Sequence, residues 1–366
     1  MNAAGNSTRN PSSASDVISR SGLDLQELRQ LVRSTETELR SLAGASILLT
    51  GATGWFGVWL LDTLCAADDL LRLGLRITAV SRNPRRFNSR YPEFASDARI
   101  TWIEADIRYL EPIDGGFSHV IHAAADTSIA PGQEAPLRLF DSIVDGTRRT
   151  IAASGTKCKS FLFLSSGAIY GPAHSSRDRF VELAPGGPDP SSPKSTYAEG
   201  KRAAEQICTI AAGMGVPVRI ARCFAFVGPH MPFDRHFAIG NFIADAVRSR
   251  PIRVKSDGCP LRSYLYMTDL IRALIAILTK GAVAIPYNVG SEAALTIEQL
   301  ARCVDRVVGG RGVVIEGVPS DPKDQYVPDT TRLRTELGFL PEVPLDSAVA
   351  RTAAWYRAQM NGSMPS

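Results

Sequence analysis

Thr50-Gly51-Ala52-Thr53-Gly54-Trp55-Phe56-Gly57 decides the fold of this chain. It follows the apolar run Ser46-Ile47-Leu48-Leu49 and opens Val58-Trp59-Leu60-Leu61-Asp62-Thr63-Leu64, which reads as a helix. A buried strand, a glycine turn and a helix start form a cradle for a dinucleotide pyrophosphate, because the free amides and the helix dipole favour an anion there. Gly51 permits the tight turn, Gly54 lets the backbone approach the phosphates, and Gly57 lets helix and strand pack closely. The spacing is Gly-x-x-Gly-x-x-Gly, not the commoner Gly-x-Gly-x-x-Gly. The glycines carry weight because of the strand before them and the helix after them. Thr53, Trp55 and Phe56 share the cradle and join the three glycines as cofactor-binding candidates.

Outward from this stretch, strands alternate with helices. Strands are expected at Ser46–Thr50, Arg76–Ser81, Ile100–Glu104, His119–His122, Ser160–Ser165 and Val216–Arg222, with helices near 55–66, 136–154 and 197–214. Short apolar strands spaced by helices imply an α/β fold, a doubly wound parallel sheet of Rossmann type covered on both faces. Residues 1–20, rich in Ser, Asn, Ala and Gly at their start, are expected to form a disordered tail. Leucines at 25, 28, 31, 39 and 42 with charges between them predict a helical extension over 21–43, packed on the core or on a second subunit. The dinucleotide-binding domain is expected over 44–225. After it the rhythm breaks at Pro229, Pro232, Pro251 and Pro260, so 226–366 reads as a smaller substrate-binding portion. Segments within about 262–290 are expected to return to the main sheet.

The 366 residues are 44% hydrophobic and 21% charged, which fits a globular protein with a sizeable core. A net charge of +4, from 41 basic and 37 acidic residues, is too near balance to argue for nucleic acid or a membrane surface. No apolar run approaches the roughly 18 residues of a membrane span, and Met1 to Ser15 carries no signal-peptide core. Six scattered cysteines without metal-ligand spacing read as reduced thiols, and the five histidines form no cluster with them. The expectation is a cytoplasmic protein with no metal site.

Tyr197 and Lys201 form Tyr-x-x-x-Lys, a step that puts both side chains on one helix face. A phenol titrating near 10 is a poor acid–base group at neutral pH, and a lysine ammonium and a nicotinamide cation beside it would lower that value. Ser166 ends the strand Phe161-Leu162-Phe163-Leu164-Ser165, where a hydroxyl can hold a substrate oxygen against the tyrosine.

With these elements in order, the chain resembles the extended short-chain dehydrogenases/reductases of the NAD-dependent epimerase/dehydratase family, which act mostly on nucleotide sugars. The matching motifs are Thr50–Gly57, Ala105-Asp106-Ile107, His122-Ala123-Ala124-Ala125, Ser165–Gly171, Tyr197–Lys201, Arg262–Tyr266 with Asp269, and Asn288-Val289-Gly290. The resemblance implies that Ser166, Tyr197 and Lys201 are catalytic. It also implies that Asp106 and Ile107 contact adenine, and that Ala123, Ala124 and Ala125 line the cofactor. Arg262 would bind a substrate diphosphate with its planar donor fork, with Asn288 and Asn241 as further substrate candidates. It implies a homodimer through the helices near 136–154 and 197–214.

Cofactor choice is read at the end of the second strand, where NAD users commonly carry a carboxylate. Here Ser81 and Arg82 stand there, which favours NADP over NAD, while Arg85 and Arg86 behind them read as a solvated basic loop. The resemblance also has gaps. Related 4,6-dehydratases carry an Asp-Glu pair after the catalytic hydroxyl, and the decarboxylases that make UDP-xylose keep a glutamate at the second position. This chain has Gly167 and Ala168. Ile143 and Ala225 stand where asparagines are usual, leaving His230, His236 and Asn241 as possible substitutes. The first reading is therefore NADP-dependent reduction of a nucleotide-linked 4-keto sugar. The second is an epimerase or dehydratase with tightly held NAD, drawing an acid or base from Asp126 or His236. A non-catalytic dinucleotide sensor or scaffold is the third, and a non-sugar carbonyl substrate remains open.

Overall fold

The computed structural model describes residues 18–125, 134–172, 179–233, 237–318 and 324–360. Strands β1 (Ser46–Thr50), β2 (Arg76–Ser81), β3 (Ile100–Glu104), β4 (His119–His122), β5 (Ser160–Ser166) and β6 (Val218–Cys223) build the main sheet. A seventh strand, Pro286–Val289, joins it beside β6, giving the order Pro286–Val289, β6, β5, β4, β1, β2, β3, with every pairing parallel. This is the Rossmann arrangement expected from the alternating pattern. Strand order reverses between β1 and β4, and ligands of such sheets bind at that crevice.

Helix α3 (Trp55–Leu71) follows β1, while α4 (Pro84–Arg90) and α5 (Pro92–Ala95) follow β2. Helices α6 (Ala135–Ser154) and α7 (Thr196–Gly213) pack on each other on one face of the sheet. The strands β1 and β5 are buried almost throughout, as strands covered on both faces must be.

The C-terminal portion departs in part from expectation. Pro286–Val289 does return to the main sheet, but Leu261–Arg262 does not. It forms a separate three-stranded sheet with Leu295–Thr296 and Gln325–Tyr326. A two-residue strand ending before Tyr264 leaves no length for a place in the main sheet. Helix α9 (Met267–Lys280) then covers β5 and β6, which is why that segment reads as strongly apolar. Helices α8 (Ala238–Val247), α10 (Ile297–Val308) and α12 (Leu345–Met360) share a second core with Ile252 and Val254.

The N-terminal extension folds as two helices, α1 (Leu25–Ser34) and α2 (Glu36–Arg40), and the Asp24 carboxylate caps α1 by accepting from the Glu27 amide. Leu28, Leu31, Val32, Leu39 and Leu42 are buried against α3 and α9, so the leucine pattern serves this chain's own core. The expected disordered tail, however, ends too late. Arg20 is only 6% exposed. Asp62, wholly buried on α3, accepts from Ser19 Oγ, the Arg20 amide, the Ser21 amide and Ser21 Oγ at 2.6–3.1 Å. Arg20 itself pairs with Asp69 at 3.0 Å and Asp97 at 2.8 Å. Composition alone hid this, because one buried carboxylate organises three ordinary residues.

Replacing Asp62 by Ala removes the shared acceptor of four donors. The expected loss is on the order of 3 kcal/mol, with residues 18–24 cleaved by protease before global unfolding. Denaturant titration and limited proteolysis check it, and unchanged protection of that segment would contradict the assignment.

Candidate active site

The turn between β1 and α3 has the shape the glycines require. Gly51 adopts φ +72°, and a Cβ on it would lie 2.7 Å from the Ala124 amide and 2.8 Å from the Ala123 carbonyl carbon. A Cβ on Gly57 would meet the Gly51 carbonyl oxygen at 2.1 Å. These two glycines therefore set the approach of strand, helix and the 123–125 segment. Gly54 is the residue before α3, extended at φ −81° and ψ 171°, with no side chain between the helix amides and the cleft. The cradle thus fits a pyrophosphate at a helix start. Trp55 contributes differently from expectation. Its indole N–H donates to the Pro229 carbonyl at 2.8 Å, as does that of Trp59 at 3.0 Å. Phe56 packs edge-on against Phe226. Both rings tie α3 to the chain beyond β6, leaving their backbone amides to the cradle.

At the end of β2, Ser81 Oγ lies 3.1 Å from Thr53 Oγ1, joining two of the cofactor candidates. The positive charge of Arg82 bears on Asp106. Asp106 is held by Arg108 through the guanidinium, 2.7 Å at its shortest, and through the Arg108 amide. These bonds keep its carboxyl below the usual range. Ile107 is buried under α6, where a Cβ on Gly146 would lie 2.9 Å from its Cγ2. Ala123, Ala124 and Ala125 stay partly open behind Gly51.

The catalytic candidates come together as the sequence spacing requires. Ser166 ends β5, and Tyr197 and Lys201 occupy successive turns at the start of α7. Burial pushes the Tyr197 phenol up to about 12, against the opposing pull of the Ser166 hydroxyl. The lowering expected from lysine is not seen in the protein alone, for a geometric reason. The Lys201 ammonium donates to the Leu164 carbonyl at 2.6 Å and lies over the Phe163 ring, 4.8 Å from its centroid. Burial lowers it to about 8, with Cys223, Cys208 and Glu205 opposing that drop.

Behind the triad runs a buried polar chain that the sequence did not announce. Glu205, one turn beyond Lys201 on α7, accepts from Ser165 Oγ at 2.5 Å and from Arg222 Nη2 at 2.7 Å. Arg222 also donates to Tyr170 Oη at 2.8 Å, and Tyr170 donates to Asn288 Oδ1 at 2.7 Å. Asn288 then donates to the Phe180 and Asp329 carbonyls and is 0% exposed. Its amide is fully used by the fold, so we assign Asn288 a structural place and not a substrate contact.

The remaining candidates are dispersed. Arg262 lies on the small sheet and forms an ion pair with Asp324. Asn241 is partly buried on α8, its amide bonded to the Phe237 carbonyl. His230 is partly buried against Trp355, 3.3 Å from Tyr91 Oη, and desolvation of its ring holds it neutral, down at about 3. It is part of the fold. Asp126 and His236 lie outside the described residues. Tyr326 was missed altogether. It sits beside Arg262 in register and places its hydroxyl against Gly167, the residue after Ser166. Nothing local marks it; the only clue was the absent side chain at 167 and the question of what fills that space.

The lowered Lys201 value fixes a pH dependence. Between about 8 and its ordinary value of 10.5 the unfolded chain holds a proton that the folded chain has released. Stability of the cofactor-free protein therefore rises with pH across that window, and the penalty for burying the ammonium is complete below it. Denaturant titrations of wild type and Lys201→Met at pH 7 and 10 check this. The wild type is expected to gain relative to the variant at the higher pH, and parallel behaviour would remove the lysine as the cause.

Comparison with known proteins agrees with this geometry. The profile of the NAD dependent epimerase/dehydratase family matches residues 47–290. UDP-glucuronic acid decarboxylase 1 of Arabidopsis thaliana is 28% identical over 317 residues, 85% of this chain and 69% of that protein. The Xenopus tropicalis UDP-glucuronic acid decarboxylase 1 is 26% identical over 319 residues, 86% of this chain and 72% of its own. Among solved structures, UDP-glucuronic acid 4-epimerase from Bacillus cereus in complex with NAD superposes with a TM-score of 0.70 at 21% identity, covering 87% of this chain and 98% of that one. The dTDP-glucose 4,6-dehydratase from Streptomyces venezuelae gives 0.71 at 21% identity, covering 86% and 98%. Fold, nucleotide cradle and family profile converge, and the chain belongs to the NAD dependent epimerase/dehydratase family.

Proposed function

We propose that this protein exchanges hydride at the carbinol or carbonyl carbon of a nucleotide-linked sugar, its net reaction being reduction of a 4-keto sugar with NADPH. The observation that carries the reading is the assembled Ser166–Tyr197–Lys201 set beside a position closed to acids. A Cβ on Gly167 would lie 2.7 Å from Tyr326 Oη and 2.8 Å from the Phe224 ring. No carboxylate fits there to expel a hydroxyl or take a proton from C5. Ser166 orients the substrate oxygen, Tyr197 delivers its proton, and Lys201 lies one turn on to hold the ribose of the dinucleotide. A bound nicotinamide supplies or takes the hydride. The choice of NADP rests on Ser81 and Arg82, which place a hydroxyl and a cation where a carboxylate would repel a 2′-phosphate. Arg262 is proposed to receive the substrate diphosphate.

A second reading is favoured by the similarity to UDP-glucuronic acid decarboxylases. In that reading NAD stays bound, the sugar carbon is oxidised and then reduced again, and CO2 leaves in between. Loss of CO2 from a 4-keto acid needs no side-chain base, since the ketone accepts the electron pair. The closed position at Gly167 tolerates this chemistry as well as it tolerates simple reduction.

The test is dinucleotide oxidation by purified protein over a panel of nucleotide-linked 4-keto-6-deoxy sugars, with UDP-glucuronic acid and UDP-glucose alongside and products weighed by mass spectrometry. NADPH oxidation matched by a gain of two hydrogens is the expected result. Sugar conversion without net oxidation would replace it by the recycling reading. Tyr197→Phe is expected to lose at least about 10²-fold in kcat; dinucleotide binding without turnover in wild type would point to a sensor.

We also propose that the protein forms a two-fold dimer in the cytoplasm through α6 and α7. Leu137 near the start of α6 is 65% exposed, and Ile210 and Met214 near the end of α7 are 55% and 81% exposed. An antiparallel two-fold pairing of these helices covers the first with the others. Light scattering is expected to give twice the chain mass, falling to a single chain in Ile210→Glu.

A further inference from the structure

Among the described residues, two side-chain hydrogen bonds join β5 to α7. The Lys201 ammonium donates to the Leu164 carbonyl at 2.6 Å, and Ser165 Oγ donates to Glu205 Oε1 at 2.5 Å. They clasp successive residues of the strand just before Ser166, and on α7 they come from successive turns. The first is made by a residue that the proposed reaction uses. The second joins two buried residues that have no step of their own in it.

Glu205 is itself held without freedom to turn. Arg222 donates from Nε to both carboxylate oxygens, at 3.0 and 3.2 Å, and from Nη2 to Oε2 at 2.7 Å. Such a planar fork fixes the plane of the carboxylate. The other guanidinium nitrogen, Nη1, donates to Tyr170 Oη at 2.8 Å and to the Glu182 carbonyl at 2.7 Å. Tyr170 closes the short helical turn Gly167–Tyr170 that follows Ser166, and its ring stacks on Phe180 with centroids 5.0 Å apart. Ser166 therefore lies on a segment, 165–170, whose two ends are tied to one ion pair. Ser165 is bonded to the carboxylate and Tyr170 to the guanidinium.

The ties matter because the serine hydroxyl is supported locally from within its own segment. Its oxygen accepts from the Ala168 amide at 3.1 Å. That bond shapes the turn but moves with it. Bonds to other elements set where the segment stands relative to α7, and hence to Tyr197.

We propose that Glu205 is a positioning residue for hydride transfer, which holds Ser166 in place against Tyr197 through Ser165 on one side and through Arg222 and Tyr170 on the other. The assignment rests on the hydride-transfer reading, in which Ser166 orients the sugar oxygen that Tyr197 protonates. Misplacing such a group by about 1 Å costs up to about 10²-fold in rate. When Lys201 serves the dinucleotide ribose, its ammonium is shared between that ribose and Leu164. The bond from Ser165 to Glu205 then keeps strand and helix in register. Glu205 moves no proton and no hydride.

The deciding variants cut one tie each and leave the ion pair whole. Ser165→Ala removes the hydroxyl that Glu205 holds, and Tyr170→Phe removes an acceptor of Arg222 while keeping the ring on Phe180. On the sugar that wild type turns over, each is expected to lower kcat about tenfold, with KM and dinucleotide affinity near their wild-type values. Glu205→Gln keeps the shape and removes the charge behind both ties. Its kcat is expected to fall about 10²-fold, and adding Ser165→Ala to it is expected to cost nothing further. A packing role alone lowers the thermal midpoint and leaves kcat of the folded protein unchanged. A kcat for Ser165→Ala within about twofold of wild type therefore overturns the role of Glu205, whatever the midpoint. With Tyr197→Phe inactive, that result leaves the hydride-transfer reading standing. A full further loss on adding Ser165→Ala to Glu205→Gln also overturns the role, as does a rise in KM at unchanged kcat. Where Glu205→Gln does not fold, Ser165→Ala and Tyr170→Phe decide by the same split between kcat and KM. Failure of wild type to convert any nucleotide sugar in the panel overturns both readings.

Discussion

The ion pair between Glu205 and Arg222 holds together the end of the sheet that carries Ser166. Arg222 lies opposite Ser165 in the β5–β6 register, and Glu205 reaches across from α7 to bond both. The pair is nearly out of solvent, so desolvation offsets most of its attraction, but removing one partner strands a buried charge. What the pair supplies is position. Strands β5 and β6 and helix α7, which between them carry Ser166, Tyr197 and Lys201, are tied to one carboxylate. Through Tyr170 and Asn288 the same chain of bonds extends to the strand Pro286–Val289 and to the loop carrying Phe180. The triad is therefore set on a braced platform, with loop conformation playing little part.

A second constraint acts on the opposite side of the cleft. Gly51 and Gly57 bring strand, helix and the 123–125 segment closer than any side chain allows. His122 completes that side from within the sheet. It lies between Thr50 at 2.7 Å and Thr147 at 3.1 Å, stacked on Phe163, and burial holds it uncharged, down at about 3. Phe163 is also the ring beneath Lys201. The side of the cleft that carries the glycine turn, and Lys201 on the other side, thus share one aromatic side chain in the centre of the sheet.

The dinucleotide half of the molecule was largely legible in the sequence. Strand β1, the glycine turn, α3 and the pair Tyr197 and Lys201 are fixed by near neighbours along the chain, where periodicity and spacing carry the information. What escaped depends on partners far apart in sequence. Asp62 gathers Ser19 to Ser21 from more than 40 residues away, and Ser19 to Ser21 show no periodicity of their own. Asn288 sits in a motif that suggests a ligand contact, yet its amide is consumed by Tyr170, Phe180 and Asp329. Arg262 and Tyr326 lie on strands of two residues, too short to leave a pattern. Such side chains are placed by the tertiary structure, and only the completed fold reveals them.

The packing at Gly167 restricts the paths by which this site can change its chemistry. An acid at that position requires room now filled by the Tyr326 hydroxyl and the Phe224 ring, and Phe224 is itself wedged against Gly290. Any single replacement of Gly167 therefore meets two aromatic residues from two other parts of the chain. A variant that carries an acid at 167 alone has a strained turn after Ser166, and relief has to come from Tyr326 or Phe224. The enclosure thus acts as an evolutionary ratchet, keeping glycine at this position in the descendants of this sequence until the rings around it change.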